Sequence, residues 1–144
     1  MEGFFRTYLN LYRPSISSIN ELLSQYELSY SLWQVVLYIK LNGPSSLVDI
    51  SNHYHVEKPA ITKRVKRLME LEMIEHISGK DKREKIIQLT DLGETLYQTC
   101  REAITNLEAS MLDGITLEEQ QLLFDILPKI RNNLLRREHK HEKE

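Results

Sequence analysis

Ten consecutive residues, Lys58-Pro-Ala-Ile-Thr-Lys-Arg-Val-Lys-Arg67, carry five basic side chains and no acidic one, in a chain of 144 residues whose formal net charge is −2. A second cationic cluster follows, in which Lys80, Lys82, Arg83 and Lys85 outnumber Asp81 and Glu84. Ammonium and guanidinium groups at this density neutralise phosphates, and the short side chains among them can approach base edges. The total charge is slightly negative, so the cations define a surface and not a general polycation. The chemistry on offer is non-covalent docking on a nucleic-acid duplex.

Other chemistries find less support. There is no nucleophile motif, no Gly-rich phosphate loop and no credible pair of carboxylates, so no catalytic residue is expected and the chain is not expected to be an enzyme. His53-x-His55, with His76 further on, raises the question of a metal. Two histidines at that spacing on a helix point to different faces, and no acidic cluster accompanies them, so no metal and no cofactor is expected. The single cysteine, Cys100, excludes an internal disulfide, fits a reducing cytoplasm, and lies on an apolar stripe where thiols are inert. No apolar run approaches the ~18 residues of a membrane span, and no secretory signal pattern opens the chain.

The elements that must position the cations follow from apolar spacing. A long first helix runs through Phe5, Tyr8, Leu9, Tyr12, Ile16, Ile19, Leu23 and Tyr26, with Pro14 expected to kink or split it. Leu32, Val35, Val36 and Ile39 mark a second helix, closed by Asn42-Gly43-Pro44. Ser46 with Asp49 resembles a capping box and opens a third helix with Leu47, Ile50, Ser51 and Tyr54 inward. Pro59 belongs in a first turn, which starts the fourth helix near Lys58 with Ile61, Val65 and Leu68 inward. Ile74–Ser78 and Lys85–Leu89 read as a hairpin. Thr90 caps a fifth helix with the expected inner stripe Leu92, Leu96, Cys100, Ala103 and Leu107. Thr116 and Glu119 form a capping box for a sixth helix, bent at Pro128 and expected to fray from Arg136 onward. The expected order is α-α-α-α-β-β-α-α, a mainly α, winged-helix arrangement.

The third and fourth helices, joined by His53-Tyr-His-Val56, then read as a helix-turn-helix. With Ile61, Val65 and Leu68 inward, the fourth helix presents Pro59, Ala60, Thr62, Lys63, Lys66 and Arg67, with Arg64 at the edge. Early residues of such a helix reach bases and later basic ones meet phosphates. Lys58, Pro59, Ala60, Thr62 and Lys63 are therefore expected near bases, and Lys66 and Arg67 on the backbone. In the hairpin loop, Arg83 is the candidate for a narrow minor groove, flanked by Lys80 and Lys82, with Asp81 orienting it.

These residues resemble the MarR-type winged-helix regulators along nearly the whole chain. The resemblance lies in Leu28-Ser29 and Trp33-Gln34-Val35-Val36-Leu37, then Asp49-Ile50-Ser51 through Val56, Ala60-Ile61-Thr62-Lys63-Arg64-Val65 and Leu68, and most specifically the wing, Asp81-x-Arg83 with Leu89-Thr90-x-x-Gly93. It implies a cytoplasmic homodimer on palindromic operator DNA, usually a repressor, often released by a small phenolic or lipophilic effector. Two positions depart from the family pattern: Glu72 stands where glycine is common, and Glu57 where a small hydroxyl residue is usual.

The first and last helices carry apolar stripes outside the compact winged-helix unit, a hazard in a monomer unless a second copy covers them. The expected organisation is a DNA-binding region over 31–100, and a helical dimerisation region from 1–30 and 101–144, as one intertwined domain. Tyr12, Tyr26, Tyr30 and Trp33 are the candidates to line an effector cavity, since aromatic walls with hydroxyls suit phenolic ligands. The competing readings are a winged-helix protein-interaction module and a DNA-binding protein without ligand response.

Overall fold

The computed structural model describes residues 3–77 and 85–142. Among them run α1 (Phe4–Ser24), α2 (Tyr30–Asn42), β1 (Ser45–Ser46), α3 (Leu47–Tyr54), α4 (Lys58–Glu70), β2 (Ile74–Ile77), β3 (Ile86–Leu89), α5 (Asp91–Met111) and α6 (Leu117–Glu142). The chain divides into two compact units, residues 1–106 and 107–144.

In the first unit the core gathers Leu23 and Leu28, Trp33, Val35, Val36 and Ile39 of α2, Ile50 of α3, the inner face of α4, Met73, Ile74 and Ile87, and Tyr97, Cys100 and Ile104 of α5. The inner face of α4 is Ile61, Val65 and Leu68, as its apolar spacing requires. The sheet is antiparallel in the order β1-β3-β2, pairing Ile74 with Leu89 and Ser46 with Ile86. β1 is an addition to the expected order. Two serines carry no apolar alternation, and only pairing with β3 makes them a strand.

Helix starts follow the capping residues. Ser29 Oγ accepts from the Leu32 amide at 3.3 Å and Ser46 Oγ from the Asp49 amide at 3.1 Å. Asn20 of α1 adds a cap across elements, its Oδ1 accepting from the Tyr30 amide at 2.7 Å. Helix ends are less usual. Glu27, His55 and Glu72 all have positive φ, a region that disfavours side chains. After α4 the Glu72 amide donates to Met69 O at 2.9 Å and the Met73 amide to Leu68 O at 3.0 Å, a Schellman ending with glutamate in the position glycine prefers.

Of the two outcomes expected at Pro14, the split is excluded: α1 is continuous through it, and the lost hydrogen bond falls on an exposed stretch where water can replace it. Two expectations need correction. On α5 the expected Cys100 is buried and Leu96 packs partly buried against the core, but Leu92 is 45% exposed and the buried stripe is Gly93, Tyr97, Cys100 and Ile104. The face is turned by one residue because Gly93 must meet the Met73 carbonyl and Tyr97 stacks on Trp33 at 5.3 Å. α6 continues past Arg136 to Glu142.

In the second unit, Thr116 and Glu119 form the full reciprocal capping box. The Glu119 amide donates to Thr116 Oγ1 and the Thr116 amide to Glu119 Oε1, both at 3.1 Å. Those two bonds hold the Glu119 carboxyl below its usual range. No side chain described for α6 is buried, and Leu122, Leu123, Phe124, Ile126, Leu127 and Leu134 are exposed.

Candidate nucleic-acid interface

α4 is held by its apolar face and by one polar tie to α2 through Arg64, and its other cations face outward. Arg64 Nη1 donates to Gln34 Oε1 of α2 at 3.3 Å, so this half-buried guanidinium braces the helix. Tyr54 of α3 donates through its hydroxyl to the Gln34 carbonyl at 2.9 Å. Burial, followed by the neighbouring phenols of Tyr30 and Tyr38, pushes the Tyr54 hydroxyl pKa up, so it remains a donor. Lys58, Pro59, Thr62, Lys63, Lys66 and Arg67 are exposed, and Ala60 is half-buried. Arg67 pairs with Glu70 at 3.3 Å on the exposed surface, a contact worth little in water. Thr62 Oγ1 donates to the Lys58 carbonyl at 3.0 Å, which leaves its methyl and lone pairs for a partner.

The turn before α4 is closed by backbone geometry. His55 sits at φ 54°, the Val56 amide donates to Ser51 O at 3.1 Å, and Ser51 Oγ donates to Val56 O at 2.6 Å. Glu57 occupies the N-cap of α4 without a side-chain cap, so its carboxylate does not satisfy the first amides. His53 packs edge-on to Tyr54 at 4.7 Å and tilted on Tyr38 at 5.1 Å, and His55 and His76 are exposed. Among the described residues no group of three or more His, Cys, Asp or Glu could hold a metal.

The wing's base explains the Leu89-Thr90-x-x-Gly93 pattern physically. Thr90 Oγ1 donates to the Glu72 carbonyl at 2.6 Å and accepts from the Gly93 amide at 3.0 Å, while the Thr90 amide donates to Met73 O at 3.0 Å. A Cβ on Gly93 would lie 2.1 Å from Met73 O, so only glycine lets α5 start this close to the end of α4. Lys40 of α2 pairs with Glu94 of α5 at 2.7 Å and lies 5.6 Å from the Tyr97 ring centroid. Lys80, Asp81, Lys82 and Arg83, the expected wing residues, lie outside the described residues.

One grouping had no local signal in the sequence. The start of α3, the start of α4 and Lys85 enclose a cleft of about 370 Å³ that includes Ser46, Asp49, Lys58 and Thr62. Its members come from three distant stretches, joined because Ser46 pairs beside Lys85 in the β1–β3 ladder. Of the aromatic residues considered for an effector, Trp33 is only 2% exposed, and Tyr26 and Tyr30 pack partly buried against the same core. Tyr12 is 43% exposed and neighbours Tyr8 at 5.8 Å.

A helix-turn-helix with an outward cationic helix, backed by an antiparallel wing, defines a DNA-binding transcriptional regulator of the winged-helix class. No family-level sequence model matches the chain. The uncharacterised HTH-type transcriptional regulator YwoH of Bacillus subtilis is 30% identical over 102 residues, 71% of this chain and 74% of that protein. The uncharacterised HTH-type transcriptional regulator SAV2265 of Staphylococcus aureus is 27% identical over 141 residues, 96% of this chain and 97% of its own. The solved structure of Staphylococcus aureus MarR in complex with salicylate and kanamycin matches with a TM-score of 0.84 at 26% identity, covering 92% of this chain and 91% of that one. The chain belongs to the MarR family of winged-helix transcriptional regulators.

Proposed function

We propose that the chain works in the cytoplasm as a homodimeric repressor of pseudo-palindromic operator DNA and is released by a small phenolic or lipophilic effector. The observation that carries the DNA reading is the face of α4, where Lys58, Lys63, Lys66 and Arg67 are exposed over a buried Ile61, Val65 and Leu68. Lys58, Pro59, Ala60, Thr62 and Lys63 approach the bases, and Lys66 and Arg67 the backbone, with Arg64 bracing the helix from its edge. In the wing, Arg83 enters the adjoining minor groove, with Lys80 and Lys82 beside it and Asp81 orienting it.

Dimerisation is supported by apolar side chains exposed among the described residues: Phe4, Phe5, Tyr8, Leu9 and Tyr12 on α1, and the exposed leucines of α6. Residues 1–30 and 101–144 form that dimerising region, and 31–100 the DNA-reading one. An effector is supported by the salicylate complex of the Staphylococcus aureus relative and by the tyrosines near Trp33, with Tyr12, Tyr26, Tyr30 and Trp33 as its lining.

Selection of bound duplexes from a random pool tests the proposal. A twofold-symmetric half-site spaced by about one helical turn is expected, together with a steep fall in affinity with salt. Equal affinity for scrambled and selected duplexes would rule out operator recognition, a monomer in sedimentation would rule out the dimer, and indifference to salicylate and related phenols would rule out that effector class.

A further inference from the structure

We infer that the cleft between α3, α4 and Lys85 is the seat of one operator backbone phosphate, gripped by Lys58, Lys85 and Ser46. The inference rests on the DNA reading above, moves Lys58 from the bases to the backbone, and adds Lys85 and Ser46 to the contacts. Neither lysine has an ion-pair partner among the described residues, and both are exposed. The Ser46 oxygen accepts from the Asp49 amide, which leaves the hydroxyl proton to donate. Thr62, whose proton goes to the Lys58 carbonyl, shapes the wall and does not grip. Asp49 lines the same cleft, so two ammoniums against one carboxylate leave a single positive charge, the complement of one phosphodiester. The exposed Val48 side chain supplies an apolar wall for a flanking deoxyribose, and the cleft volume of about 370 Å³ admits the linkage with its sugar.

The position relative to α4 favours a DNA phosphate over a free anion. Lys58 opens the helix whose next turn carries the base-facing residues, so a phosphate fixed at Lys58 and Lys85 sets how that helix lies in the groove. Lys85 precedes β3, and the β3 pairing with β1 holds its backbone against the start of α3.

Titration of the selected operator and a scrambled duplex at several salt concentrations tests this on the full-length protein, comparing wild type with Lys85→Gln, Ser46→Ala and Asp49→Asn. Lys85→Gln should weaken both duplexes by roughly tenfold and lower the salt slope by about one released counterion. Ser46→Ala should weaken both duplexes by a few fold with the slope unchanged. Asp49→Asn should strengthen both several-fold. Ethylation of one phosphate in each half-site should impair wild type and cease to matter in Lys85→Gln, whereas millimolar inorganic phosphate should compete no better than its ionic strength explains. An unchanged slope in Lys85→Gln, or a loss confined to the operator, overturns the phosphate seat while leaving operator binding intact. Competition by inorganic phosphate beyond ionic strength would assign the cleft to a free anion instead. A wild type that binds no duplex at any salt concentration would remove both this inference and the reading beneath it.

Discussion

Helices α4 and α6 dispose their apolar residues in opposite ways. α4 buries Ile61, Val65 and Leu68 and turns its charges outward, while α6, twice as long, buries none of its described side chains and exposes leucines along its length. α4 is complete within one chain, so its exposed face is free to be written for a charged partner. α6 leaves its leucines exposed, and water in contact with that much apolar surface favours its removal. Under the function proposed above, the two exposures suit different partners, a duplex for the cationic helix and a second copy of the chain for the apolar one.

The sharpest way to break the comparison is to truncate one leucine on each helix. Leu68→Ala should cost about 3 kcal/mol in urea unfolding at any protein concentration, because it opens a cavity in a closed core. Leu127→Ala should change the stability of an isolated chain by no more than ~0.5 kcal/mol and weaken self-association about tenfold in sedimentation. Equal, concentration-independent losses would show that α6 is finished as it stands.

Next in size is Gly93→Ala, which must push Cβ off the Met73 carbonyl. A loss of about 2 kcal/mol is expected despite the better helix propensity of alanine. Glu72→Gly should move the other way, by about 1 kcal/mol, since it relieves a side chain at φ 61°, and it should raise Tm by about 3 °C. No change in Tm would mean that Glu72 earns compensation elsewhere. The smallest effect concerns Cys100, whose thiol is pushed by burial from its ordinary value of 9 up to about 11. The unfolded chain releases that proton first, so this contribution is intact below about pH 9 and is lost as the pH rises towards 11. Denaturant midpoints should therefore fall more steeply over that window in wild type than in Cys100→Ala.

Local signals carried much of the fold. The α4 stripe, the caps at Ser46, Thr90 and Thr116, and the break at Asn42-Gly43-Pro44 were all legible because each depends on residues within one turn. α5 was misread because leucines at helical spacing looked like the inner face, whereas a carbonyl from the end of α4 and an indole from α2 decide which side faces in. β1 and the cleft around Lys85 were illegible for the same reason: two serines and a lysine acquire meaning only through pairing with residues some 40 positions away. The outward cations of α4 were readable in advance; how Arg64 is spent on Gln34 was not.

The lone indole of the chain has a practical consequence. Trp33 lies almost fully shielded, nearly parallel to the Tyr97 ring with 3° between their planes. Its emission therefore reports on the α2–α5 seam, and a red shift signals that this seam has opened. Residues 107–144 contain neither tryptophan nor tyrosine, so melting confined to them would leave the emission spectrum still and register only in far-ultraviolet circular dichroism. Two optical channels, read on one sample, separate the halves without a label.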